Sequence, residues 1–138
     1  MGRLKMYFLV ILIIAVTAVS FVVFANDSDS EESVKTLQKY GWVVDKKPVD
    51  EAEVIIPEPF DLVYENYNQM QIEAGLDLTP YMGMSGRRYT YSVKNYPEDV
   101  GEEVFANVIC INGKVVAGDI MTVSLRGFMH SLKYPVNK

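Results

Sequence analysis

The strongest constraint on this chain is an uninterrupted apolar run near its start. It begins at Met6, ends at Ala25 and contains no charged residue, with Thr17 and Ser20 as its only mild polar breaks. A helix rises about 1.5 Å per residue, so twenty residues match the roughly 30 Å hydrocarbon core of a bilayer. The run therefore predicts a transmembrane helix that anchors the chain.

The charges on either side of the run predict its orientation. Arg3 and Lys5 precede it, whereas residues 26–32 carry four acidic side chains and no basic one. Because basic flanks stay on the cytoplasmic side, the remainder of the chain is predicted to be extracellular, with the N-terminus in the cytoplasm. Cleavage of a signal peptide after Ala25 would instead give a secreted protein. The run exceeds the roughly 7–15 apolar residues of a signal peptide, which favours an uncleaved anchor.

These observations predict three regions. Residues 1–25 form a cytoplasmic stub and the membrane anchor, residues 26–32 a polar tether, and residues 33–138 one extracytoplasmic domain. From residue 26 onward the chain carries all 18 acidic residues and 11 of the 13 basic ones, a net charge of −7. We therefore expect no nucleic-acid partner and no basic patch for anionic lipid. The single cysteine, Cys110, excludes an intramolecular disulfide and is expected to be buried.

Two segments have helical spacing of apolar residues. Residues 29–40 are predicted as a helix that begins with a capping box of Ser28 and Glu31 and ends at Gly41. A second helix is predicted from Phe60 to Ala74, with Pro59 in its first turn and Gly75 as its stop.

The remaining pattern predicts antiparallel strands. Extended segments are expected at residues 42–44 and 53–56, and residues 88–94 alternate between apolar and polar. The strongest signal is Asn112-Gly113, which predicts a hairpin of Phe105–Ile111 with Lys114–Leu125. Counting back from this turn pairs Ile109 with Val116 and Phe105 with Ile120. The fold class is therefore α+β, with two helices packed on one face of a sheet that has this hairpin at its centre.

Seven short segments are distinctive as a set. They are YGWVV (40–44), VIIP (54–57), YENYNQMQ (64–71), GLDLTPY (75–81), RYTY (88–91), GDI (118–120) and GFMH (127–130). Together they resemble an uncharacterised family of small membrane-anchored extracytoplasmic proteins of Gram-positive anaerobes, the domain of unknown function numbered 4830. The resemblance covers about residues 31–132. It implies one anchored domain outside the membrane, and it brings no activity, ligand or catalytic residue with it.

Asp119 is the main candidate for a binding residue because it interrupts an apolar strand. The predicted register places it on the face of Ala106, Ala117 and Met121. A carboxylate there must be paired or near solvent, or burial raises its pKa. A buried ion pair is the favoured interpretation. Arg87, Arg88 or Arg126 could answer the charge, and so could backbone N–H groups. A binding-site carboxylate is the alternative.

The other candidate binding residues are His130 and a group of tyrosines. His130 is the only histidine, and no second ligand stands at a metal-binding spacing from it, so a structural role is favoured. Tyr67, Tyr89 and Tyr91 belong to an aromatic set that either lines a cleft for peptides, glycans or partner proteins, or forms core.

No catalytic constellation emerges from these residues. The serines lack a nucleophile-elbow or Ser–Lys motif, and no carboxylate pair is singled out by its spacing. We therefore expect a non-enzymatic protein with no catalytic, cofactor or metal residues. The predicted function is a membrane-anchored extracytoplasmic interaction or ligand-binding module. The alternatives are a cell-envelope hydrolase that uses an acidic residue, and an accessory subunit of a membrane complex.

The anchor prediction has a direct test in the mass of the protein recovered from cell membranes. An uncleaved anchor preserves the full chain of 15.6 kDa. A species that begins after Ala25 would contradict the anchor and support a secreted protein. Intact-mass spectrometry separates the two results.

Overall fold

The computed structural model describes residues 27–135. The predicted membrane segment, residues 6–25, lies outside this range. Among the described residues, no helix combines the length and apolarity needed to cross a membrane. The elements of the described range are helices α1 (Asp27–Lys39) and α2 (Leu62–Glu73), strands β1 (Asp50–Ile55), β2 (Ser85–Ser92), β3 (Phe105–Ile111), β4 (Lys114–Met121) and β5 (Met129–His130), and a 3-10 turn at Thr79–Tyr81. This set of helices and strands confirms the predicted α+β class.

Both helices end next to the glycines that the sequence analysis identified as stops. After α1, Gly41 has a φ of 99°, and the Trp42 N–H donates to the Leu37 carbonyl at 3.0 Å. After α2, Gly75 has a φ of 83°, and the Leu76 N–H donates to the Gln71 carbonyl at 2.8 Å. Each glycine supplies the left-handed residue that lets the chain satisfy the last helical carbonyls.

The starts of the helices differ from the sequence prediction. α1 already includes Asp27, so Ser28 lies within the helix and not at a capping position. At α2 the cap is Asp61, whose carboxylate accepts from the Tyr64 N–H at 2.8 Å. Pro59 therefore precedes the helix, because the side chain of Asp61 satisfies the first-turn donors better than any earlier residue.

The five strands form one antiparallel sheet in the order β1-β2-β3-β4-β5. The Asn112-Gly113 turn joins β3 to β4 with φ values of 51° and 76°, as the hairpin prediction requires. The second strand ends at Met121 and not at the predicted Leu125. The chain turns away there because the Thr122 N–H bonds to the Phe128 carbonyl at 3.0 Å, which closes the loop to β5.

A β-bulge makes the predicted register of this hairpin wrong beyond its first two pairs. Cys110 pairs with Val115, but Ile109 pairs with Ala117, so Val116 is an extra residue in β4. Val116 and Ala117 consequently both pack in the cluster on one face of the sheet. Every later pair moves by one position.

The prediction that both helices lie on one face of the sheet is also wrong. Val34 and Leu37 of α1 pack in a cluster with Tyr89 and Tyr91 of β2. Because side chains alternate along a strand, the residues on either side of these tyrosines in β2 point to the other face of the sheet. On that other face, Tyr67 of α2 packs with residues Ile109, Val116 and Ala117. The sheet thus lies between the two helices, because its central strands are apolar on both faces and both must be covered.

The last turn of α2 also closes one edge of the sheet. β5 pairs with β4 only at Ile120 and Met121, which leaves the earlier part of the β4 edge without a strand partner in the described range. There the Gln71 side-chain carbonyl accepts from the Gly118 N–H at 2.8 Å, and both residues are buried. A helix side chain therefore replaces a strand at this edge.

Replacing Gln71 with alanine tests this edge contact. The Gly118 N–H would be left buried without an acceptor, at a cost of about 1–3 kcal/mol in the free energy of unfolding. Gln69→Ala is the matched control, because Gln69 is an exposed residue of the same helix and its loss should cost less than about 0.5 kcal/mol. Denaturant unfolding followed by the fluorescence of Trp42, the only tryptophan, measures both. Equal losses in the two variants would contradict the contact.

Candidate functional site

Asp119 lies at the centre of a buried polar cluster between β4, β3 and α2. Its side chain is 0% exposed. The Tyr67 hydroxyl donates to Oδ1 at 2.7 Å, and the Asn107 amide donates to Oδ2 at 3.0 Å. The bulge produces the second contact, because it moves Asn107, and not Ala106, opposite Asp119. Both carboxylate oxygens are thus engaged.

The polar cluster continues across β2. The Thr90 hydroxyl donates to the Asn107 side-chain carbonyl at 2.6 Å, which fixes the orientation of that amide. Arg88 is 2% exposed on the same face, and its Nη2 lies 3.2 Å from Oδ2 of Asp50. Of the three arginines proposed for Asp119, Arg88 is the one whose charge acts on it, and this charge lowers the pKa of Asp119.

Burial dominates the electrostatics of this cluster. It raises the pKa of Asp119 to about 6, although the bonds from Asn107 and Tyr67 and the charge of Arg88 each favour the ionised form. Burial and the neighbouring Asp119 charge also raise the pKa of the Tyr67 hydroxyl well above its ordinary value. Tyr67 therefore remains a hydrogen-bond donor at neutral pH.

This geometry determines what Asp119 can do chemically. Its carboxylate is closed to solvent, and both oxygens accept bonds from neighbouring elements. A substrate would reach it only after α2 had moved away from the sheet. In the observed conformation the carboxylate joins α2 to β3 through Tyr67 and Asn107, a positioning role.

His130 lies in an aromatic cluster at the end of the sheet. Its Nδ1 donates to the Ser131 carbonyl at 2.7 Å, so Nε2 of the neutral ring accepts from the Tyr96 hydroxyl at 2.9 Å. The rings of Trp42 and Phe128 lie 6.1 Å and 5.6 Å from the imidazole. Burial lowers the pKa of His130, which favours this neutral, hydrogen-bonded form.

The structure does not bring the five candidate binding residues together. Asp119 and Tyr67 are in contact on one face, whereas Tyr89 and Tyr91 are 0% exposed on the other face, beneath α1. The Tyr91 hydroxyl lies 3.0 Å from Oγ of Ser30, and burial raises the pKa of Tyr89 to about 12. A ligand could contact these two tyrosines only if α1 moved, so the observed arrangement is that of core residues.

Residues 27–135 contain no group of three or more His, Cys, Asp or Glu side chains arranged to hold a metal ion. Cys110 is buried next to Ser33, with its sulfur 3.2 Å from Oγ, and burial raises the pKa of its thiol to about 11. At neutral pH this cysteine is therefore a thiol and not a reactive thiolate.

The outer side of β1 is an edge of the described sheet. No strand within residues 27–135 pairs with it. The Ile56 N–H donates to the Met84 carbonyl at 2.9 Å, which continues the register of β1 with β2, and donors alternate in direction along an antiparallel strand. The N–H groups of Glu51 and Glu53 therefore point away from β2. The Val49 N–H, which donates to the Thr90 carbonyl at 2.8 Å, departs from this alternation just before β1 begins. Val49 and Ile55, at the two ends of this segment, are 57% and 67% exposed.

Sequence reasoning missed this surface because it began the second extended segment only at Glu53. The signal was available in DEAEVI (50–55), where acidic and apolar residues alternate as in a half-buried strand. Asn107 was missed because the predicted register placed Ala106 opposite Asp119. The β-bulge shifts the pairing by one residue and brings Asn107 there instead. We refer below to residues 49–55 as the β1 edge.

Comparisons with known proteins give one match. A family model described as a domain of unknown function, DUF4830, matches residues 36–120, which include α2, β1 to β3 and most of β4. No curated protein and no solved structure matches the chain.

The raised pKa of Asp119 predicts a specific pH dependence of stability. The folded pKa of about 6 exceeds the ordinary pKa of 3.8, so the native state binds more protons than the unfolded chain between about pH 4 and pH 6. Stability is therefore highest with the acid protonated and falls as pH rises through this window, by about 3 kcal/mol from this group.

Asp119→Asn isolates this effect, because it removes the titration and retains a similar shape. The free energy of unfolding of this variant should rise by about 2.4 kcal/mol relative to the wild type between pH 4 and pH 7, since pH 4 already lies just above the unfolded pKa. His130 acts in the opposite direction, since its lowered pKa removes stability as pH falls through 6.5, but it is present in both proteins. Denaturant titrations at several pH values measure the difference. Parallel pH profiles would contradict the buried carboxylate.

Proposed function

We propose that this chain, which belongs to the DUF4830 family, is a membrane-anchored interaction module whose extracytoplasmic domain pairs with a partner protein along the β1 edge. The anchor and the extracellular location come from the apolar run and its flanking charges. The interaction surface comes from the geometry of the sheet.

One observation carries the proposal: the β4 edge of the sheet is covered, whereas the β1 edge is open within residues 27–135. At the β4 edge, β5 and the Gln71 side chain occupy outward-pointing backbone groups. At the β1 edge, six residues of strand have no such cover within residues 27–135. An open edge with exposed apolar side chains is suited to strand addition by another chain, because backbone groups supply the bonds and side chains the selectivity.

The position of the edge is compatible with an anchored domain. The Asn112-Gly113 turn lies at the same end of the sheet as the start of α1, since a Cβ on Gly113 would be 3.9 Å from the Asp29 carboxylate. Ile55 pairs with Ser85 at this end, and Asp50 pairs with Thr90 farther along β2. The β1 edge thus runs away from the end of the domain where the predicted anchor enters, so a partner outside the membrane would have access to its length.

An envelope hydrolase is the alternative function. For Asp119 it would require α2 to open, because the carboxylate is fully buried and both of its oxygens accept hydrogen bonds. No described contact favours that opening, so the interaction module is the function that the geometry supports best.

Site-specific photo-crosslinking in intact cells tests the proposal. A photoreactive amino acid is placed at Ile55 on the β1 edge of the full-length protein, or at Leu62 as the control; Ile55 is apolar and 67% exposed, so its replacement keeps both glutamates of the edge. Leu62 is 66% exposed on α2 and lies outside the β1 edge. We expect a discrete adduct with another protein at position 55 and none at position 62. No adduct at position 55, or equal adducts at both positions, would contradict an interaction along β1.

A further inference from the structure

We propose that the segment added to the β1 edge is an extended peptide of a partner protein with basic residues at alternate positions, flanked by apolar residues. This inference rests on the proposed function and names the chemistry of the partner at the same surface. It follows from the backbone, the side chains and the charge of the β1 edge.

The backbone of the β1 edge supplies general affinity for an extended chain. The outward N–H and carbonyl groups of Glu51 and Glu53 repeat every second residue, which is the spacing of a strand partner. A seven-residue segment would cover the edge from Val49 to Ile55. These backbone bonds do not depend on the sequence of the added strand, so selectivity must come from side chains.

The side chains of the β1 edge alternate in a way that defines the complementary sequence. Glu51, Glu53 and Ile55 point to the face on which α1 lies, because their partners in β2 include Tyr89 of the α1 cluster. α1 packs over the central strands and covers Tyr89 of β2, whereas Glu53 and Ile55 of β1 remain exposed and Glu51 is half-buried. The matching positions of an antiparallel partner are two basic residues opposite the glutamates and two apolar residues opposite Val49 and Ile55.

The charges near the edge favour an external base. Arg87 lies opposite Glu53 in β2, but the ion pairs within the described residues are Arg88–Asp50 and Lys94–Asp45. Neither glutamate of the edge therefore has a salt-bridge partner in residues 27–135. A lysine or arginine on an added strand would lie on the side of each glutamate that is opposite to β2.

The same charges disfavour a second copy of the chain as the occupant. An antiparallel pair of two β1 strands centred on Ala52 would place Glu51 of one copy directly opposite Glu53 of the other, twice. Like charges at directly opposed positions destabilise strand pairing. Two glutamates on an open edge thus select against self-association and for a basic partner.

Two capped peptides probe this selectivity with the full-length protein in detergent micelles. The first is Val-Thr-Lys-Thr-Lys-Thr-Val, and the second has glutamate in place of both lysines. Amide chemical shifts in NMR spectra report both the affinity and the location of binding. We expect the lysine peptide to perturb residues 49–55 and to bind about tenfold more tightly than the glutamate peptide, from two cross-strand charge pairs.

A charge reversal provides the decisive comparison. The double variant Glu51→Lys, Glu53→Lys should reverse the preference, so that the glutamate peptide binds more tightly. The control Glu65→Lys, Glu73→Lys changes the net charge equally at exposed positions of α2 and should keep the preference for lysine. Equal binding of both peptides, shifts outside the β1 edge, an unchanged preference in the reversed variant, or self-association through β1 would each overturn the inference.

The failure of this inference is distinguishable from that of the proposed function. Position-specific crosslinks at position 55 together with no lysine preference would show that the edge has a partner of different chemistry, which overturns only the inference. The absence of crosslinks at position 55 would overturn the proposed function, whatever the peptides do.

Discussion

The structure depends on one constraint, which is that β3 and β4 are apolar on both faces. Ala106, Val108 and Cys110 point to one side, and Ile109 and Ile111 point to the other. A sheet of this kind must be covered twice, so α1 lies on one face and α2 on the other. The placement of α2 then buries Asp119 and brings Gln71 to the edge of β4. Since both helices are committed to the central strands, β1 remains open.

The buried polar cluster makes the position of α2 specific at a cost in stability. An apolar contact would hold a helix on a sheet with little preference for register, whereas Asp119 requires the Tyr67 hydroxyl on one side and the Asn107 amide on the other. Ionising this carboxylate in the core is unfavourable, as its raised pKa indicates. Buried polar groups are retained in some proteins because they favour one arrangement over others, and here the arrangement includes the bond from Gly118 to Gln71.

Local signals made much of the fold predictable from the sequence. Gly41, Gly75 and Asn112-Gly113 fixed two helix ends and the hairpin turn, because each needs a backbone conformation that few residues adopt. The bulge at Val116 was not predictable by counting from the turn, since an extra residue shifts the register without a clear local signature. The helices lie on opposite faces because both faces of the central strands are buried. The apolar pattern of the hairpin indicated this, but the prediction placed both helices on one face.

Of the candidate site, the sequence identified Asp119 and the need for its pKa to be raised or its charge to be paired. Its partner Asn107 depended on the bulge, and its partner Tyr67 depended on which face α2 covers. The β1 edge depended on sheet order, which no local pattern determines. Tertiary arrangement thus decided every contact of the site, although each residue type was suited to its role.

Hydrogen exchange of individual amides in the full-length protein tests the central claim, that the sheet is closed at β4 and open at β1. We expect slow exchange for the Gly118 amide, which donates to Gln71, and fast exchange for the Glu53 amide, which points away from β2. Equal protection of the two amides would mean that the β1 edge is already covered, and fast exchange at Gly118 would mean that the β4 edge is not closed. Either result would overturn the distinction between a closed and an open sheet edge.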